Sequence, residues 1–277
     1  AAVAALWLGF HLFQEGALSG PVLVLLPIAL LGLAEVYAML PDAFGKLGAT
    51  RSAAQRLNSD HGLETAAAST ANHAGELPEG LALQVRDITV GYPGYSPLLG
   101  HFTLELHPGD TVSIVGVSGS GKSTLADTLA GLAEPRRGER HSLPCAYLTQ
   151  ATVVFEDTVK ANLLLASPNA EDGVLWRVLE LVELAERFAQ EAEGLDTWLG
   201  SAGNRLSGGE ARRLVLARVL LSRAPVVILD EPFTGVDEAT RTRISPQISR
   251  WLQGRTVVCL GHGPDALLAS DRILHLG

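Results

Sequence analysis

The run G-V-S-G-S-G-K-S-T at residues 116–124 constrains this chain more than any other stretch. It fits the phosphate-cradling pattern G-x-x-x-x-G-K-[ST], with Gly116, Gly121, Lys122 and Ser123 at the fixed positions and Val117, Ser118, Gly119 and Ser120 between them. The β-branched run T-V-S-I-V precedes it and predicts a buried strand over 111–115. Apolar residues at helical spacing follow and predict a helix over 123–132. Strand, glycine loop and helix together form an anion site: glycines turn backbone N–H groups inward, and the helix start adds partial positive charge. Lys122 is then placed for the β- and γ-phosphates, and the Ser123 hydroxyl for Mg²⁺. A Gly/Ser-rich turn with no ligand is the plainer alternative, and Lys and Ser at the required offsets argue against it.

Composition narrows the class. The 277 residues suit one large domain plus a smaller part, and 47% hydrophobic content supplies a core with some to spare. A net charge of −9 argues against nucleic acid as the main partner. Cys145 and Cys259 each sit in an apolar run and are expected to be buried free thiols.

The surplus apolar residues lie at the start. Residues 1–13 are nearly all apolar but too short to cross a bilayer, which takes about 20 residues. Residues 21–40 are long enough, with Glu35 as their single charge. Lys46, Arg51 and Arg56 follow, whereas residues 14–20 carry no Lys or Arg, so the positive side, and the rest of the chain, is expected in the cytoplasm. Residues 1–13 read as the tail of a helix that begins upstream, which makes the chain an N-terminally truncated piece of a membrane protein. Glu35 should face protein or water, or reach the interface; His11 should sit near the outer surface. Residues 46–80 read as a helical extension followed by a polar linker.

Further chemistry lies beyond residue 81. Alternation predicts strands over 81–90 and 98–107, with Tyr92 in the turn between them. A strand over 145–149 ends at Gln150, whose amide suits a metal or a water. Helices are expected over 157–165 and 172–190, as an insertion between core strands. Leu206-Ser207-Gly208-Gly209-Glu210 precedes a helix over 211–222, with Ser207 and Glu210 spaced as a capping box and the glycines opening a second helix start to anions. The run V-V-I-L at 226–229 predicts a strand that delivers Asp230 and Glu231 to a ligand crevice, Asp230 toward Mg²⁺ and Glu231 toward a water aimed at the γ-phosphate. A last strand over 256–260 is followed by His262, a candidate phosphate contact.

The ordered set resembles the nucleotide-binding domain of ABC transporters. Residues 116–124 match the Walker A motif, Gln150 the Q-loop, residues 206–210 the family signature, V-V-I-L-D-E the Walker B motif, Gly235-Val236-Asp237 the D-loop, His262 the switch histidine and Tyr92 the A-loop aromatic. The resemblance implies an α/β P-loop NTPase fold with a mixed sheet and a helical subdomain (about 151–222) within residues 81–277, preceded by a truncated α-helical transmembrane segment at 1–45 and a linker at 46–80. It implies that Glu231 and His262 are catalytic, that Ser123, Gln150 and Asp230 hold Mg²⁺, and that Tyr92, residues 116–124, Gln150, residues 206–210 and Asp237 contact ATP. More narrowly, the runs G-L-A-E-V-Y-A-M-L-P-D-A-F-G-K-L-G, L-L-L-A-S-P, L-D-T-W-L-G and L-S-G-G-E-A-R-R-L are similar to the C subunit of CydDC-type exporters. That likeness implies a heterodimer with a homologous half-transporter in the cytoplasmic membrane, exporting cysteine or glutathione, or handling a haem-like molecule, in cytochrome bd assembly. His262 departs from such exporters in its Gly261 and Gly263 flanks. Two readings stay open: an ATP-driven motor, and a regulatory subunit that closes on ATP but hydrolyses weakly. A soluble ABC ATPase acting on DNA or ribosomes is disfavoured by the span and the negative charge.

Overall fold

The structure is a computed structural model that describes residues 7, 10–16, 77–91, 95–263 and 268–276. The expected span at 21–40, Glu35, most of the linker and Tyr92 lie outside the described residues. Two compact units divide the chain, residues 1–71 and 72–277. In the first, residues 10–14 are helical and the rings of Trp7 and His11 meet edge-on at 5.0 Å. Among the described residues no helix is long and apolar enough to cross a membrane.

The second unit is built on a five-stranded parallel sheet. Its strands are β3 (Thr111–Gly116), β5 (Cys145–Leu148), β6 (Val226–Asp230), β7 (Thr256–Gly261) and β8 (Arg272–Leu276), in the order β5-β6-β7-β3-β8. A parallel sheet is covered on both faces, so its central strands are apolar throughout rather than alternating. Every residue of β6 and β7 is buried. Along β6, Val227 and Leu229 enter one core while Val226 and Ile228 enter the other, as the two-residue strand period requires. The first core holds the helices α2 (Val159–Leu164), α3 (Asp172–Leu181), α4 (Ala185–Ala189), α5 (Gly208–Leu221) and α6 (Glu238–Trp251). The second holds α1 (Lys122–Ala130) and an antiparallel sheet of β1 (Leu83–Val90), β2 (Leu99–Leu106) and β4 (Arg137–Ser142), ordered β2-β1-β4. The parallel and antiparallel strands of the expected α/β fold thus lie in two sheets.

Three expectations need correction. The helix predicted over 172–190 is two helices, because Glu183 adopts a left-handed backbone (φ 51°). Its carboxylate takes a paired contact from Arg243 at 2.6 and 2.7 Å, and its carbonyl accepts from Arg213 at 3.1 Å, so the break is held from α6 and α5. The helix predicted over 157–165 is shorter, since Thr158 caps it by accepting from the Ala161 N–H at 3.0 Å. Cys259 is buried, and burial pushes its thiol up to about 12, but Cys145 is only partly buried because β5 is the sheet edge.

Candidate nucleotide site

Strand order makes the site. The row β5-β6-β7-β3 brings the C-terminal ends of four parallel strands side by side, which is where open α/β sheets present ligand crevices. Gln150 lies just past β5, Asp230 ends β6 and Glu231 follows it, His262 follows β7, and the glycine loop leaves β3. A cleft of about 280 Å³ lies there, lined by Ser118, Gly119, Gly121, Lys122, Ser123, Thr124, Gln150, Glu231, His262 and Leu98.

The loop is shaped for close approach. Gly119 and Gly121 have φ of 82° and 86°, where a side chain is strained. Gly121 is the N-cap of α1 and offers no side-chain cap, so the first-turn N–H groups are left to an anion. A Cβ on Gly116 would stand 2.6 Å from the Ser120 Oγ. Lys122 is 5% exposed. Its Nζ donates to the carbonyls of Gly116 and Val117, both at 2.8 Å, and lies 3.5 Å from His262 Nδ1. A buried ammonium held by two loop carbonyls and His262, with no ion pair to a carboxylate among the described residues, fits an anionic ligand electrostatically.

Opposite the loop stand the carboxylates. Asp230 is fully buried, and neither of its oxygens has a hydrogen-bond partner among the described residues. Burial raises its pKa; Ser123, which faces it outside hydrogen-bond geometry, and Arg212 pull the other way, whereas Glu231 and Asp127 add to the rise. A desolvated, unpartnered carboxylate facing a serine hydroxyl is an oxygen donor set for a hard cation, so the residues present fit Mg²⁺. Glu231 is next along, with a left-handed backbone (φ 48°) that turns its side chain off the strand path. Its Oε1 is 2.5 Å from His262 Nε2, and the Thr234 hydroxyl donates to Oε2 at 3.1 Å. Glu231 and His262 thus meet as one pair at the cleft.

Other predicted residues lie elsewhere. None of Leu206, Ser207, Gly208, Gly209 and Glu210 lines the cleft. Ser207 caps α5 in a full capping box: it accepts from the Glu210 N–H at 3.3 Å, and its own N–H donates to Glu210 at 2.7 Å. Burial works against the charge of Glu210, but the Ser207 donors, Arg187 and Arg213 more than offset it and lower its pKa. Ser207 and Gly208 remain exposed, so this helix start points to solvent. Gly209 lies under Gly235, whose carbonyl a Cβ there would meet at 2.7 Å. Asp237 caps α6 by accepting from Thr240 at 2.9 Å, which lowers its pKa. Sequence reasoning missed Arg212, a buried cation that joins two strand ends at this site. Its signal was helical spacing, since Arg212 falls on the same face as the fully buried Leu216 and Leu220.

The fold and this site define an ABC-type ATP-binding domain, which belongs to the ATPase class. A family model described as ABC transporter matches residues 99–234. The chain is 33% identical over 279 aligned positions to the glutathione/L-cysteine transport system ATP-binding/permease protein CydC of Escherichia coli, covering 95% of this chain and 48% of that protein. It is 29% identical to the mycobactin import ATP-binding/permease protein IrtB of Mycobacterium tuberculosis, covering 94% of this chain and 47% of that one. Among solved structures, a bacterial Atm1-family ABC exporter with ATP bound superposes with a TM-score of 0.66 at 26% identity, over 74% of this chain and 40% of that chain. The chain carries an ABC transporter ATP-binding domain and spans about half the length of the curated relatives it matches.

Proposed function

We propose that this chain is the ATP-binding part of an ABC exporter subunit of the CydC/CydD kind, working in the cytoplasmic membrane with its ATP-binding domain in the cytoplasm. The partner is a homologous half-transporter, and the cargo is a small thiol, cysteine or glutathione. In this reading residues 1–45 belong to the membrane domain, 46–80 are the linker and 81–277 bind ATP.

One observation carries the reading: a buried lysine at a glycine-capped helix start lines one cleft with Gln150, Glu231 and His262, and the residue before Glu231 is the buried Asp230, whose oxygens have no hydrogen-bond partner among the described residues. The N–H groups from 116 to 124 bind the phosphates, and Lys122 leaves its carbonyl partners to meet the β/γ charge. Ser123, Asp230 and Gln150 hold Mg²⁺, which when bound neutralises phosphate charge. Glu231 orients the attacking water, and His262, held against it, steadies that carboxylate and reaches the γ-phosphate. Tyr92, outside the described residues, is the candidate adenine contact in this reading. The exposed start of α5 completes the site of a facing subunit, so two domains enclose two ATP molecules, with Asp237 near the seam. Closure then drives the membrane helices between inward- and outward-facing states.

A second cargo reading has a specific basis, because the mycobactin-import relative covers almost the same residues. The test is uptake of labelled glutathione or cysteine into inverted vesicles carrying the full-length protein and its partner. ATP-dependent uptake is expected, and Lys122→Ala should abolish both it and ATP binding. Haem uptake without thiol uptake, or ATP-dependent loss of mycobactin preloaded in the vesicle lumen, would overturn the thiol assignment; undiminished ATP binding by Lys122→Ala would overturn the site.

A further inference from the structure

The ladder between β5 and β6 ends at the pair Leu148 and Leu229. Beyond it, residues 149–150 and 230–231 no longer pair with each other, although Asp230 still pairs with Leu260 of β7, and one side chain closes the gap. Arg212, near the start of α5 and 2% exposed, lays its guanidinium across both strand ends. Nη1 donates to the carbonyl of Thr149 at 2.7 Å and to that of Gln150 at 3.4 Å. Nη2 donates to the carbonyls of Asp230 and Glu231, the latter at 2.8 Å. Four backbone oxygens from two strands converge on a single cation.

Only a guanidinium does this. It is planar, stays charged and presents a fork of donors with no acceptor, whereas an ammonium is a single point and a carboxamide has one donor nitrogen. The position also matters because Glu231 sits at φ 48°, a backbone region that L residues rarely adopt. Arg212 grips the carbonyl of that residue, while the Glu231 N–H is tied to Leu260 at 2.9 Å. The same α5 holds the next part of the Gln150 loop through a second arginine: Arg218, whose guanidinium donates to the Val153 carbonyl at 3.0 Å and to Asn162 Oδ1 at 3.2 Å.

We infer that Arg212 is a positioning residue that clamps the ends of β5 and β6, so that Gln150 and Glu231 face the cleft at one fixed spacing set from α5. Arg212 touches neither the cleft nor a ligand; it acts through the backbone of the residues that do. Because Ser207 caps α5, a displacement of that exposed helix start is carried to both strand ends at once. The inference deepens the hydrolysis reading above and rests on it for its consequence, though not for its geometry.

Arg212→Lys and Arg212→Gln test it in the full-length protein with its partner, the partner's own site being inactivated. The measurements are kcat, KM and Kd for ATP, the unfolding midpoint with Mg·ATP, and amide hydrogen exchange. A misplacement of about 1 Å costs on the order of 10²-fold in rate, so kcat should fall about 10- to 100-fold while the Kd for ATP stays within about threefold. Amide exchange should rise together in residues 149–153 and 231–234. Lys should recover stability better than it recovers rate, because one ammonium spans only one carbonyl pair. Unchanged kcat and exchange in both variants would overturn the inference. So would a fall in kcat that only tracks the folded fraction, or failure of both variants to fold, since either makes Arg212 a plain structural cation. If the unmodified protein itself hydrolyses no ATP, the hydrolysis reading fails, and the paired exchange response still decides for or against the clamp.

Discussion

Both oxygens of Asp230 are buried without a hydrogen-bond partner among the described residues, an arrangement that costs stability unless a cation arrives. The same carboxylate is therefore unfavourable to the free fold and favourable to the Mg·ATP complex. Asp230→Asn separates the two. Burial outweighs the pull of Ser123 and Arg212 on this charge, so removing it should leave the ligand-free protein as stable as before or more so, by about 1 kcal/mol on the scale of a buried polar imbalance. It should also remove most of the thermal stabilisation that Mg·ATP adds, because ligand stabilisation follows affinity. Thermal unfolding with and without Mg·ATP reads both effects. A destabilised ligand-free protein that keeps its full Mg·ATP shift would sink the cation assignment. The phosphate loop was legible at this scale because its geometry is local: glycines, a lysine and a serine at fixed offsets. The contact of Glu231 with His262 was not, since those residues follow different strands and meet only because β6 and β7 are neighbours.

At the scale of elements, the start of α5 combines a cap with an outward face. Ser207 accepts from Glu210 and is itself exposed. Ser207→Ala should destabilise the fold by about 1 kcal/mol through the lost cap. Ser207→Asp keeps an acceptor there and adds a charge favourable to a helix start, so stability should hold. If a facing subunit's phosphates meet this helix start, the same added charge should repel them, and hydrolysis should fall in the Asp variant despite intact folding. Chemical denaturation beside ATPase rates checks this; an Asp variant that hydrolyses normally would mean that the helix start is a cap and nothing more. The strands β6 and β7 were legible because a buried parallel strand is a bare apolar run. By contrast β4, R-G-E-R-H-S, has no apolar residue and exists because it pairs with β1. In α6 the buried positions reduce to Thr240, Ile244 and Ile248 around Pro246, too sparse for periodicity to declare a helix. The break between α3 and α4 was invisible for a related reason, as Arg243 and Arg213 reach Glu183 from far along the chain.

For the whole molecule, the decisive fact is that the cleft contains the loop and the strand ends but not residues 206–210. Either the exposed helix start is unrelated to nucleotide, or a second domain brings an equivalent surface to each cleft. Thiol protection distinguishes these. Val117, at the loop, is 74% exposed, and Asn204, just before the start of α5, is also exposed. Cysteines placed singly at these positions, with Cys145 replaced by Ser and Cys259 left buried, report on the two surfaces separately. Glu231→Gln keeps the size of the side chain but removes the charge that orients water, and loss of a positioned base slows turnover by about 10² to 10⁴. In that background Mg·ATP should persist long enough to hold the closed form. Binding within one chain protects Val117→Cys alone, because Asn204 lies outside the cleft. Association over ATP protects both, and addition of Lys122→Ala to the same chain should release Val117→Cys because its own phosphates are no longer held. The expected outcome in the full-length assembly is joint protection that requires Mg·ATP. Protection confined to Val117→Cys would leave an ATP-binding domain that works without a facing partner, and the two-domain transport cycle would fall with it.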